Sequence, residues 1–477
     1  MKRAFFFLCF FSNLALFAQQ GYEIKITFKP FKNRFIYLGH YYGKQYPIID
    51  SALLNEKSEA VFKGSKNLPG GIYLVGYPDR AGFFEILIDK QQHFSLVADT
   101  ATLKENIHFE NSPDNVLFVN YQHYMGAKGK KIDAAKTKLS EARTKADSVK
   151  WTSELSSLEK TIREHRDSLI KSNPANILSA LLITMREPIM PESLKNPSNL
   201  ADSIAAYNFF KKHFWDGVSF GDGRLAYTTF FEEKLDKYFT QLVVPQPDSV
   251  IREIDYMLGF ASINEEMTQF LLLKFVNRYL NQHYMWEDVV YVHLFEKYFA
   301  QRSYAWLNEK GRKTITDRAY NLMANIMGTA AAEIVLPDSS GNKTSLYAQA
   351  SAFTVVCFWD PTCGHCKEVL PKLDSFYQAK WKKLGLKIFA VAKETDGSKK
   401  DWLEFINSHQ LTEWTHVYYS RAEDRSRIDA GTPGYSQLYD VMTFPTLYLL
   451  DKEKRIIAKK LTYQQIDDVL EVKLKGQ

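Results

Sequence analysis

The sequence predicts a multidomain protein: an N-terminal β-sandwich, an α-helical middle domain and a C-terminal α/β domain. Three observations carry this assignment. The 477 residues are too many for one ordinary core and suggest roughly three domains. The hydrophobic period switches from two to that of a helix near residue 113, then to alternating strands and helices near 328. The composition, 45% hydrophobic, 14% aromatic and 24% charged, is that of a folded chain with little room for long disorder. A net charge of +6, spread thinly along the chain, gives no reason to expect a nucleic-acid partner.

Met1-Lys2-Arg3 followed by an apolar run from Ala4 to Ala18 has the pattern of a signal peptide, residues 1–18, cleaved near Ala18. The run is shorter than the ~20 apolar residues a membrane anchor needs. A soluble, exported, periplasmic protein is therefore expected. Residues 19–112 read as the β domain. Ile24, Ile26 and Phe28 alternate with Lys25 and Thr27, and apolar runs follow at Ile72 to Val75, Phe83 to Ile88 and Phe94 to Val97. Gly70-Gly71, Pro78-Asp79 and Asp89-Lys90 punctuate them as turns.

Residues 113–327 read as helical. Ile132, Ala135, Leu139, Ala142, Ala146 and Val149 recur every three or four residues and predict one charged helix with a weak apolar stripe. The interspersed acids make the Lys128 to Lys145 stretch a solvated face. Asn173-Pro174 reads as a helix start, with Asn as cap and Pro in the first turn. Leu271 to Leu280 is apolar nearly all round and predicts a buried helix. The aromatics between Tyr207 and Trp306 read as core and inter-helix packing.

Residues 328–477 form the α/β domain. A hairpin (Ile334 to Leu336, Thr344 to Leu346) precedes a buried strand, Thr354 to Trp359. A helix from Cys363 to about Leu384, a strand (Lys387 to Ala392) and a helix (Lys399 to His409) come next. Two strands (Thr446 to Leu450, Arg455 to Lys459) and a closing helix from Tyr463 complete a mixed sheet covered on both faces.

Of the four cysteines, Cys9 lies in the signal segment and the other three fall between 357 and 366. Structural bridges scatter along an exported chain, so this concentration points to redox chemistry. Cys363-Gly364-His365-Cys366 supplies an attacking thiol and a resolving thiol one helical turn apart. At a helix N-terminus the free N–H groups and the dipole favour a Cys363 thiolate, and a protonated His365 would add positive charge nearby. A CxxC also serves as half of a zinc site, but Cys357 is the one further cysteine outside the signal segment. A structural disulfide across so short a loop would contribute little. No metal or other cofactor is expected.

Val355 to Cys366, reading Val-Val-Cys-Phe-Trp-Asp-Pro-Thr-Cys-Gly-His-Cys, resembles the active-site strand and loop of thioredoxins, especially the exported TlpA-like branch. Pro371 matches the proline that kinks the active-site helix in that family, and Thr443-Phe444-Pro445-Thr446 resembles its cis-proline loop. The upstream regions resemble, more loosely, the β-rich and helical domains of multidomain Bacteroidetes-type exported thioredoxins. The resemblance implies a thioredoxin fold and exchange of disulfides with protein substrates at Cys363 and Cys366. Trp359, Phe444 and Pro445 would face the substrate, Gly364, His365 and Cys357 would modulate the pair, and a membrane or periplasmic thiol electron donor would recharge it. Two departures stand out. Cys357 occupies the place of the family's buried acid, and Val369 that of a glutamate found in many TlpA-like members. Glu368 is two residues along the helix from Cys366, turned ~200° away. Deprotonation of Cys366 then falls to water or another group, and Cys357 is a candidate third thiol. The competing readings are a binding or scaffold protein that uses the fold for docking, and a thiol peroxidase. Peroxiredoxins carry Thr or Ser where this chain has Asp360. Redox direction, native substrate and oligomeric state are written in no motif.

Overall fold

The computed structural model describes residues 21–103, 106–396 and 399–475; the expected signal peptide lies outside them. Among the described residues no helix is long and apolar enough to cross a membrane. The chain divides into two compact units: residues through Val243 with Tyr256–Phe270, and Val244–Asp255 with residues from Leu271 onward.

The first unit opens with eight strands: β1 (Tyr22–Lys29), β2 (Phe35–His40), β3 (Ile48–Leu53), β4 (Glu59–Gly64), β5 (Gly71–Gly76), β6 (Phe83–Ile88), β7 (His93–Asp99) and β8 (His108–Glu110). They form two four-stranded sheets, ordered β4-β1-β7-β8 and β3-β2-β5-β6. The alternation in β1 does what its period demands. Ile24, Ile26 and Phe28 are buried and share one core with Ile36, Leu38, Tyr73, Val75, Ile86 and Ile88 of the other sheet. The sequence reading had not marked β2, β3, β4 and β8, whose apolar runs are short and interrupted.

Helices follow: α1 (Pro113–Ser140), α2 (Lys145–Ser172), α3 (Ile177–Thr184), α4 (Leu200–His213), α5 (Thr229–Gln241), α6 (Pro247–Ala261), α7 (Glu265–Leu280), α8 (Glu287–Leu294) and α9 (Glu309–Met323). The stripe from Ile132 to Val149 is split between α1 and α2, and only its Ala135 is buried. Thr144 caps α2 by accepting from the Asp147 N–H at 3.1 Å, a local bond strong enough to start a new helix. Asn173 ends α2, and Asn176 caps α3 by accepting from the Leu178 N–H. Asn173-Pro174 is therefore a helix exit, a correction to the sequence reading. A proline that cannot continue α2 explains it. Asn115 of α1 is wholly buried, and its amide bonds both backbone groups of Leu87 on the edge strand β6 at 2.7 Å each.

The second unit contains a hairpin, β9 (Val335–Pro337) with β10 (Lys343–Ser345), then β11 (Phe353–Trp359), α10 (Gly364–Ala379), β12 (Leu386–Lys393) and α11 (Lys399–Ser408). Next come β13 (Thr415–Tyr419), α12 (Arg421–Asp429), α13 (Tyr435–Leu438), β14 (Thr446–Leu450), β15 (Ile456–Lys459) and α14 (Tyr463–Lys475). Strand β13 and helices α12 and α13 are additions to the sequence reading. The five-stranded sheet runs β13-β12-β11-β14-β15, with β11 parallel to β12 and antiparallel to β14. As the central strand, β11 is apolar and β-prone along its length and covered on both faces. Its odd residues Val355, Cys357 and Trp359 enter one core with Cys366, Leu370 and Leu373 of α10. Its even residues Val356 and Phe358 enter another with Leu336, Phe389 and Tyr439.

Within this unit the helices that precede the sheet are tied to it by buried charge. Lys459, at the end of β15, donates to Asp288 of α8 and to both oxygens of Asn325, at 2.7 Å to the backbone and 2.8 Å to the side chain. Both charged side chains are almost wholly out of water. Burial raises the Asp288 carboxyl from its ordinary value against the pull of Lys459, and lowers the Lys459 ammonium against the pull of Asp288. Desolvation thus outweighs the mutual attraction, and the pair fixes geometry more than it stabilises. Lys459→Met alone is expected to cost about 3–5 kcal/mol, because a buried carboxylate is left unpaired, whereas adding Asp288→Leu recovers most of that loss. Urea denaturation of the two variants checks this.

Candidate functional site

The site forms where β11 ends. Asp360, nearly buried, turns the chain: its Oδ1 accepts from the Thr362 N–H at 2.7 Å and the Thr362 hydroxyl at 2.8 Å. Its other oxygen takes the Thr395 hydroxyl, and its carbonyl accepts from the Cys363 N–H at 3.1 Å. This Asx-type turn sets Cys363 at the N-cap of α10 in an extended conformation, φ −69° and ψ 118°. Cys363 is half-buried and Cys366 fully buried. The Cys363 thiol reaches the Phe444 carbonyl at 3.8 Å and is hydrogen-bonded to Cys366. The peptide bond between Phe444 and Pro445 is cis, and both residues are half-buried. The structure therefore brings Cys363, Cys366, Phe444 and Pro445 together.

Burial pushes the Cys366 thiol well up. The Cys363 sulfur and the Cys357 charge push the same way, and a backbone hydrogen bond from Asp360 opposes them. Among the described residues, the groups that act on Cys366 are a backbone amide and two thiols, with no carboxylate among them. Cys357, fully buried on the same face of β11, is raised by burial alone. His365 is exposed at the start of α10, and Gly364 is exposed with open space where a Cβ would project. Pro371 lies inside α10, where it cannot donate to the Lys367 carbonyl.

One expected site residue is placed elsewhere. Trp359 is fully buried, its ring 5.1 Å from that of Phe405, because the pleat of β11 turns it into the core and away from any substrate. Sequence reasoning missed the organising role of Asp360, although an Asp followed by Pro and Thr at a strand end is a turn signal. It also missed the buried Asp440 before the proline loop, which no local pattern marks.

Residues 352–456 match the model of a family described as thioredoxin-like. The C-terminal domain belongs to the thioredoxin-like family. Residues 152–321 match a domain of unknown function (DUF5106). No curated protein matches the chain. Among solved structures, a thioredoxin-like protein from Bacteroides caccae is 22% identical, covering 60% of this chain and 98% of its own, with a TM-score of 0.45. A domain of a possible thiol-disulfide isomerase from Cytophaga hutchinsonii is 31% identical over 32% of this chain and 97% of its own, with a TM-score of 0.27. The thioredoxin domain of a thiol-disulfide oxidoreductase from Bacteroides vulgatus is 27% identical over 30% of this chain and 96% of its own, with a TM-score of 0.25.

The exposure difference across the thioredoxin-like domain's cysteines has a direct readout. In the native, reduced protein iodoacetamide is expected to label Cys363, while Cys366 and Cys357 react only after denaturation. Mass mapping of alkylated peptides with and without guanidinium checks it.

Proposed function

We propose that the protein is an extracytoplasmic thiol–disulfide oxidoreductase that reduces or isomerises disulfides in protein substrates through Cys363 and Cys366. The observation that carries this reading is the half-buried Cys363 at the N-cap of α10, with buried Cys366 behind it and the Phe444 carbonyl beside its sulfur. Cys363 as thiolate attacks one sulfur of the substrate disulfide. A mixed disulfide forms, and the other substrate sulfur leaves as a thiolate and takes up a proton. Cys366 then loses its proton and attacks the Cys363 sulfur, which closes the Cys363–Cys366 disulfide and releases the second substrate thiol. A thiol electron donor, membrane-bound or periplasmic, returns two electrons to the pair. The Phe444-Pro445 segment holds the substrate backbone during exchange, and the signal-like N-terminus supports an exported, periplasmic site of action. The domain limits 19–112, 113–327 and 328–477 and the cleavage near Ala18 belong to the same proposal.

Against the thioredoxin pattern that the sequence resembles, the chain has a buried thiol, Cys357, where a carboxylate would accept the Cys366 proton. Water or another group is the proton acceptor in this reading, and resolution of the mixed disulfide is slowed. Cys357 is also placed on the right face of β11 to exchange with Cys366 as a third thiol; peptide mapping of the oxidised protein that never recovers a 357–366 link removes that role.

Three results test the reading. Cys363→Ser is expected to abolish insulin reduction, and Cys366→Ser to accumulate a mixed disulfide visible on non-reducing gels. Titration against glutathione assigns direction: a potential near −270 mV marks a reductase and one near −180 mV an isomerase, on the order of known thiol oxidoreductases. A pair that never exchanges leaves the binding or scaffold reading instead. Resolution is further expected to quicken with pH across the neutral range. The raised Cys366 pKa keeps the thiol protonated there, so its thiolate fraction grows about tenfold per unit. Cys357→Asp should speed that step and flatten the dependence. Stopped-flow kinetics of mixed-disulfide decay read both effects, and an unchanged rate in the variant counts against the proton-transfer argument.

A further inference from the structure

We infer that Arg318, on helix α9 and outside the segment that matches the thioredoxin-like family, is a positioning residue for the substrate-facing proline loop, acting through Asp440 and Lys460. The inference rests on the exchange reaction proposed above. Asp440 lies five residues before Pro445, and its side chain is wholly inaccessible to water. One of its oxygens accepts from Arg318 Nη1 at 2.5 Å, and the other takes the ammonium of Lys460. Arg318 is itself fixed: Nε donates to the Leu280 carbonyl at 2.9 Å, and Nη2 to the Gln282 side chain at 2.5 Å. A guanidinium held on three sides presents its planar fork in one orientation.

The carboxylate ties together two stretches of chain that bracket the loop. Asp440 stands at its entrance. Lys460 is hooked to its exit, because the Lys460 N–H donates to the Leu447 carbonyl at 2.7 Å. Asp440 (φ 44°) and Lys460 (φ 58°) both adopt the left-handed backbone region. Residues with a Cβ stay there only where their surroundings over-determine them. A surface ion pair would do this poorly, but the Asp440 carboxylate is shielded from water. A neighbouring contact repeats the device: Asn325, just past α9, donates to the Leu438 carbonyl at 3.2 Å.

The clamp also borders the place where a substrate chain would lie. His365 and Lys372 of α10 line a groove of about 420 Å³ together with Met442 and Pro445, and Asp440 and Lys460 belong to the same lining. A folded substrate that brings its disulfide to Cys363 lays its chain beside Pro445, which lines that groove. A small dithiol needs only the sulfur. Loss of the clamp therefore separates the two kinds of reaction.

The test compares full-length wild type and Arg318→Ala with two partners, insulin and dithiothreitol. Arg318→Ala is expected to lower kcat/KM for insulin on the order of 10- to 100-fold, mainly through KM, with dithiothreitol reduction of the Cys363–Cys366 disulfide within about twofold of wild type. Arg318→Lys, which keeps the charge but not the fork, should recover part of the loss. Parallel losses with both partners, or no loss with insulin, overturn the inference. If Arg318→Ala does not fold, the pair Arg318→Met with Asp440→Asn carries the same comparison and the same two outcomes, since it leaves no unpaired buried charge. A wild-type chain that exchanges with neither partner overturns the proposed function, and this inference with it.

Discussion

The pleat of one strand organises the C-terminal unit. Because β11 lies at the centre of its sheet and both faces are covered, its residues must alternate between two cores. That alternation sends Cys357 and Trp359 to the side where α10 packs, and so puts a thiol, not a carboxylate, under Cys366. It also fixes where the strand stops. Asp360 begins the turn, caps it with one side-chain oxygen while the other takes the Thr395 hydroxyl, and hands the chain to α10 with Cys363 as its first residue outside the helix. A slip of one residue in β11 would exchange the two cores and move Cys363 away from the Phe444 carbonyl.

The chemistry follows from the contrast in burial between the two cysteines. Cys363 meets both water and the proline loop, while Cys366 sits in an apolar core that disfavours its thiolate. In the proposed exchange this contrast makes Cys363 the accessible thiol and Cys366 the one whose proton is hard to remove. Among the described residues the Asp360 backbone hydrogen bond is what favours a Cys366 thiolate, and Asp360's carboxylate is committed to Thr362 and Thr395.

Charge buried away from the sulfur atoms also shapes the site. Lys459 with Asp288, and Asp440 with Arg318 and Lys460, join the sheet and the loop before Pro445 to the helical segment that precedes them. Such pairs contribute little net stability, because desolvation offsets most of their attraction, but they allow only one arrangement. The helical segment from α8 to α9 thus belongs physically to the same unit as the thioredoxin-like sheet, although it lies outside the part of the sequence that matches the thioredoxin-like family.

Much of this was legible in the chain. The alternation of β1, the apolar run of β11, the spacing of Cys363 and Cys366, and Pro445 within Thr443 to Thr446 are local signals, set by covalent geometry and side-chain period. They determined the fold class and the candidate pair of thiols. Strands such as β2 and β13 escaped because short or broken apolar runs take their structure from neighbours, and the exit at Asn173 was misread because caps and stops share residue types. Trp359 looked like a substrate contact until the sheet turned it inward. The partnership of Arg318 with Asp440 was decided by tertiary structure alone. The two residues are 122 apart in sequence, and an ion pair between them exists only once packing excludes water and brings the charges together.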